Sequence, residues 1–139
     1  MAHDILQPVI GLMLLTFVVW VRLYITRSRY IKANNINAQD VASPEMMNSL
    51  LPEEVNRPSN NLKNLFELPV IFYTVCLVLL VIDKVDILFI YLAWTFVVLR
   101  VVHSAIHCTI NKVIPRLITY ALSGLVLWIM VFRLALLIF

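Results

Sequence analysis

The chain has 139 residues, 62% of them hydrophobic and 14% charged, with a mean hydropathy of +0.92. That balance is too apolar for a solvated surface and points to an integral membrane protein. Two Gly and two Cys exclude collagen-like and disulfide-scaffold chains, and the formal charge of +3 sits beside apolar runs, where basic residues set topology and meet anionic lipid headgroups rather than nucleic acid.

The first apolar run, Ile5 to Thr26, is long enough at about 1.5 Å per residue to cross a hydrocarbon layer of about 30 Å. Met1, Ala2, His3 and Asp4 before it supply no basic n-region, and Arg27, Ser28, Arg29 and Tyr30 after it supply no small-residue cleavage site. A retained transmembrane helix is therefore expected over 5–26. Trp20 and Tyr24 suit an interfacial belt, and Arg22 can snorkel.

Residues 27–57 form the long polar stretch and read as a loop or a pair of short surface helices. Asn56 is placed to cap a second helix starting near Pro58 and running over 58–82. Pro69 should kink that helix and free the carbonyl of Leu65. The turn at Asp83, Lys84, Val85 and Asp86 leads into a third helix over 87–108, and Asn111 to Pro115 separate it from a fourth over 115–139. The expected fold is all-α, one four-helix integral membrane bundle. Cys76 and Cys108 read as thiols.

Basic residues gather in the first connection (Arg27, Arg29, Lys32, Arg57) and the third (Lys112, Arg116), whereas Lys84 in the second faces two aspartates. The positive-inside rule puts loops 27–57 and 108–115 in the cytoplasm and both termini outside.

An ionisable group at the membrane centre costs about 2.5–3.5 kcal/mol on insertion scales, so each one needs a reason. On the second helix Arg57, Asn60, Asn64 and Glu67 share a face, flanked by Asn61 and Lys63. Such a face can recognise a charged, amide-rich small molecule. The plainer alternative is a polar helix in contact with cytosol, with Glu67 paired to Lys63. Solvation suffices for Arg57 and Lys63; Asn64 and Glu67, deeper and beside a proline, favour binding.

The third helix carries a second stripe, Arg100, His103, His107 and Asn111, with Ser104 adjoining. Arg100 lies about 20 Å along that helix and needs an anion or water; Glu67 can lie at comparable depth, so a plain Arg100–Glu67 pair is compatible with a site. His103, His107 and Cys108 invite a metal reading but lack a third ligand in register, and Ser104 has no oxyanion element to make it a nucleophile. Metal is not expected. Arg133 reads as an anchor at the outer interface, and Tyr120, Ser123 and Gly124 as close helix packing. Phe17, Trp94, Phe96 and Trp128 read as lipid-facing or core.

The stretch from Asn60 to Tyr73, with Asn64-x-x-Glu67 followed by Pro69 and Phe72, resembles the signature of the membrane-associated proteins in eicosanoid and glutathione metabolism, the MAPEG superfamily. Length, four spans and a long first connection fit the same family. The resemblance implies a homotrimer with glutathione as co-substrate, bound between subunits and open to the cytosol. Asn64 and Glu67 match the motif's glutathione contacts. Asn60 stands where the family often has Arg, with Lys63 or Arg57 able to supply the charge, and Leu68 stands where leukotriene-forming synthases have Tyr. Arg27 and Arg29 resemble the basic residues that hold the glycyl carboxylate. Arg100, His103 and His107 occupy the face that carries tyrosines in those synthases.

The activity implied is that of a glutathione transferase or peroxidase that activates a thiol toward lipophilic electrophiles or lipid hydroperoxides arriving from the bilayer. Arg100 is the candidate activating cation, supported by His103 or His107. The alternative is a non-catalytic relative that binds lipid or serves as a scaffold. A channel, suggested by the His–Arg stripe alone, comes third.

Overall fold

A computed structural model describes residues 2–139, apart from the side chains of Ala2 and Ala38. Met1, counted above among the residues preceding the first span, lies outside the described residues. Four stretches are long and apolar enough to cross a membrane: His3–Ala33, Glu53–Val81, Ile87–Cys108 and Val113–Ile138. The bundle is all-helical, as composition predicts.

The first helix, α1 (Leu6–Ala33), continues well past Thr26. Nothing in residues 27–33 breaks it, and it ends only where Asn35 takes a left-handed φ of 51° and the Ile36 N–H returns to the Ile31 carbonyl at 3.1 Å, a C-terminal cap that Asn tolerates. The polar connection is correspondingly shorter. It holds a 3-10 turn, Ala38–Val41, and α2 (Pro44–Leu50), capped by Ser43 Oγ accepting from the Met46 N–H at 3.2 Å.

The second span starts earlier than expected. The helix α3 (Glu53–Asn64) begins after Pro52 and takes Pro58 into its interior. Asn56 does not cap it: its Nδ2 donates to the Leu51 carbonyl at 3.2 Å and its Oδ1 accepts from Arg27 Nη2 at 3.4 Å, tying the start of α3 to α1. The kink expected near Pro69 is a full interruption. After Asn64 the chain makes a tight turn, with the Phe66 N–H on the Lys63 carbonyl at 2.9 Å, passes through Glu67 at φ −96°, ψ −97°, and resumes as α4 (Leu68–Val81) with Pro69 in its first turn, where proline forfeits no helical bond.

The turn to α5 (Ile87–Cys108) uses Asp83 at φ 53° and Asp86 as N-cap, Oδ1 accepting from the Phe89 N–H at 3.0 Å. Asn111, at φ 48°, closes α5 by donating its N–H to the Ile106 carbonyl at 2.8 Å. The last helix, α6 (Val113–Ile138), takes Pro115 into its first turn and so starts slightly before the expected position.

α1 packs on α3, α4 and α5, while α6 packs mainly on α5 and also on α4. Phe72 stacks on Phe96 at a centroid distance of 4.7 Å, among buried Leu12, Leu79, Phe89, Leu127 and Met130. Phe96 is therefore core, whereas Trp94, Phe17 and Trp128 are exposed. Lipid supplies no hydrophobic drive between helices, so close packing matters. A Cβ on Gly124 would stand 3.6 Å from the Leu68 side chain, an ordinary contact, so the close helix approach read for that position is not required there. Arg133 is more than an interfacial anchor. Its Nη1 and Nη2 meet Asp86 Oδ1 and Oδ2 at 2.8 and 2.6 Å, and its guanidinium lies 4.2 Å from the Phe89 ring centroid, fastening α6 to the start of α5.

Candidate functional site

The break after Asn64 leaves that residue's carbonyl without a helical donor. Arg100 Nη2 takes it at 2.7 Å. Arg100 is 0% exposed, lies 5.3 Å from the Tyr120 ring centroid, and has no hydrogen-bond partner at Nε or Nη1. Its charge is offset by a carbonyl dipole and an aromatic face, both weaker than a carboxylate.

Glu67 pairs with neither Arg100 nor Lys63. Its Oε2 accepts from the Tyr120 hydroxyl at 3.0 Å, so Tyr120 touches both the cation and the carboxylate. Tyr120, read from sequence as packing, is a member of the polar cluster.

Between α3, the end of α5 and the start of α6 lies a cleft of about 830 Å³, within the size range of small-molecule sites. Asn60, Asn64, His103, His107, Arg116 and Tyr120 form its polar wall, Glu53 and Asn111 also line it, and Val113 and Leu117 form its apolar side. The structure thus brings together Asn60 and Asn64 from the first stripe and His103 and His107 from the second. Arg100 stays behind the wall.

His103 has both ring nitrogens engaged. Nδ1 lies 3.1 Å from the Arg116 carbonyl, which can only accept, so Nδ1 carries the proton. Nε2 is then the acceptor, 3.4 Å from Asn64 Nδ2. His107 stands edge-on to His103 at 5.7 Å; it is 5% exposed, and its Nδ1 is buried without a partner. At one end of the cleft Arg116 Nη1 donates to Asn111 Oδ1 at 2.6 Å, and Asn111 Nδ2 donates to Glu53 Oε1 at 2.6 Å.

The remaining candidates lie elsewhere. Arg57 donates through Nη1 to the Thr109 carbonyl at 2.6 Å, with Nε 3.8 Å from Glu53, joining α3 to the end of α5. Lys63 is exposed and does not line the cleft. Arg27 is occupied by Asn56, and Arg29 is exposed on α1; neither reaches the cleft of its own chain. Asn61 is buried and clips α3 to α5, accepting from Ser104 Oγ at 3.3 Å and lying 3.5 Å from Cys108 Sγ. Ser104 is thereby a structural donor. Arg22 does not snorkel freely, since Nη2 donates to the Cys108 carbonyl at 2.9 Å. Among the described residues no three His, Cys, Asp or Glu side chains gather to hold a metal.

Two wall residues, Arg116 and Tyr120, were not among the sequence candidates. A signal existed: they are four apart on α6, beside Thr119, a polar stripe like those on the other two helices. With Arg116 and Glu53 both lining it, the cleft suits a ligand bearing both carboxylate and ammonium groups.

No curated protein and no solved structure matches the chain. The model of the MAPEG family matches residues 5–136, nearly the whole chain and every element that builds the cleft, and the protein belongs to the MAPEG family.

Proposed function

We propose that this chain is a membrane glutathione transferase or peroxidase whose cleft binds the tripeptide and activates its thiol. The observation that carries the reading is the position of Arg116: a guanidinium on the cleft wall, beside the amides of Asn60 and Asn64 and the phenol of Tyr120. Amides suit peptide groups, a carboxylate such as Glu67 suits an ammonium, and a cation suits a carboxylate or thiolate. In this reading the activating cation is Arg116 rather than Arg100, which is wholly buried. Arg100 instead holds the helix break that sets Asn64.

A free thiol with pKa about 8.5 is mostly protonated at neutral pH, and a neighbouring guanidinium favours its ionised form. The proton passes to water at the cleft. The thiolate then forms a carbon–sulfur bond with an electrophile as its leaving group departs. With a hydroperoxide, sulfur takes the distal oxygen, giving an alcohol and a sulfenic acid, which a second glutathione converts to disulfide and water. Val113 and Leu117 offer the apolar side to a lipophilic partner.

The assembly in this reading is a homotrimer in which Arg27 and Arg29 of a neighbouring chain add further cations beside Arg116. Loops 27–57 and 108–115 face the cytoplasm, where glutathione is abundant. Calorimetry in detergent should register glutathione binding at millimolar ligand, and the protein should conjugate chlorodinitrobenzene or reduce a lipid hydroperoxide. No heat and no turnover would sink the reading and leave a non-catalytic lipid-binding or scaffold role.

A further inference from the structure

We infer that Asn111 is a positioning residue that holds Arg116 in the cleft without neutralising it. This rests on the reading of Arg116 as the thiol-facing cation. Arg116 is gripped at two points. Its carbonyl meets His103 Nδ1 at 3.1 Å, and its Nη1 donates to Asn111 Oδ1 at 2.6 Å. The amide of Asn111 in turn donates to Glu53 Oε1 at 2.6 Å, and Arg57 Nε stands 3.8 Å from that same oxygen.

The order of groups matters. A guanidinium fixed directly by a carboxylate is held firmly, but its charge is spent on that partner. Here a neutral amide stands between Arg116 and Glu53. The carboxylate fixes the amide, the amide fixes the cation, and the cation keeps its remaining donors and its field for an anion in the cleft. Asn111 is suited to this post for a second reason. The backbone there is left-handed, φ 48°, a conformation that Asn, Asp and Gly accept at little strain.

That tolerance makes the idea testable, since Asn111→Gly keeps the backbone and removes the amide, while Asn111→Asp keeps a hydrogen-bonding oxygen and adds the charge that the amide avoids. Two readouts are needed. The first uses no glutathione: the rate at which phenylglyoxal modifies Arg116 in the detergent-solubilised protein, followed by peptide mass. The second is the ultraviolet absorbance of the thiolate of bound glutathione across pH, with kcat and KM for conjugation.

Asn111→Gly should raise the modification rate severalfold and cut the thiolate fraction at neutral pH by about tenfold, one unit of thiol pKa, lowering kcat more than KM. Asn111→Asp should leave modification no faster than in the unaltered protein and cut the thiolate fraction by a similar factor, separating anchoring from charge. If Asn111→Gly matches the unaltered protein in both readouts, Asn111 is only a helix terminator and the inference is overturned. A wild-type protein that binds no glutathione or shows no thiolate sinks the glutathione reading instead, and the modification rate still decides whether Asn111 holds Arg116.

Discussion

Arg100 and Arg116 illustrate how differently two arginines can serve one site. An unpaired cation in a protein interior costs several kcal/mol, and Arg100 accepts that position because the interrupted helix offers it a carbonyl and Tyr120 offers it a ring. Arg116 stands where a ligand can reach it. Arg116→Ala should therefore reduce kcat/KM by about 10²–10³, the range for removing one preorganised stabilising donor, with the thermal midpoint nearly unchanged. Arg100→Met should shift the midpoint and leave a measurable kcat. A reversed pattern in paired melting and kinetic assays would return the activating role to Arg100. Tyr120→Phe removes the hydroxyl that holds Glu67 and should weaken glutathione binding by about 1 kcal/mol, roughly fivefold in Kd; calorimetry measures this directly. Asn64 was legible in the sequence because a polar side chain at membrane depth stands out. Arg116 was not, because an arginine at the start of a span reads as a topology charge, and only the fold turns it toward Asn64.

Among the elements, the pairing of α5 with α6 is secured at both ends. At one end Asp86 caps α5 and receives both prongs of Arg133. The Arg133 guanidinium holds the Asp86 carboxyl below the usual carboxylate range, with the Phe89 N–H bond acting in the same direction. A carboxyl depressed in the folded state contributes stability above its unfolded pKa, about 3.9, and that contribution is lost as pH falls through the lower folded value. Both side chains are partly exposed, so the pair contributes about 1 kcal/mol or less. Melting curves should show Arg133→Gln destabilised at pH 7 but converging with the unaltered protein as pH drops below about 4. Equal destabilisation at both pH values would mean that packing of Arg133 on Phe89, rather than charge, holds the turn. The four spans were legible from hydropathy alone. The helix starts were less so, because a proline alone does not fix one: Pro52 rather than Pro58 precedes α3, which takes Pro58 into its interior, and Pro115 falls in the first turn of α6.

For the molecule as a whole, the orientation in the bilayer that the basic loops predict can be tested chemically. Cys76 and Cys108 are both buried, so native thiols give little background labelling. Single cysteines at exposed Ser49 and Lys84 should behave oppositely toward a membrane-impermeant maleimide in intact cells: Lys84→Cys labelled, Ser49→Cys protected until the cells are opened. The opposite pattern would place the cleft on the outer side, away from cytosolic thiol. The mouth of the cleft and the basic end of α1 lie toward the same pair of loops, which is what a site completed by a neighbouring chain requires. Such a completion, as proposed, would not be legible from one chain's hydropathy, because lipid-facing and subunit-facing apolar residues look alike in sequence.

The contacts Asn64–His103–Arg116 form one continuous line, so in the proposed function seating and reactivity would share a single lever. In the proposed function, a thiol that fills the cleft would settle against Asn64 and, through a single imidazole, brace the backbone of Arg116, the residue assigned to its sulfur. A short thiol such as cysteamine reaches the sulfur position without bracing that lever. It should then lose kcat as well as affinity, because binding made far from sulfur is drawn upon at the reacting atom; steady-state kinetics with cysteamine and glutathione side by side would show it. Under the proposed function, preference for a whole tripeptide over a bare thiol would be built into turnover, and small thiols would be refused by slowness rather than by exclusion.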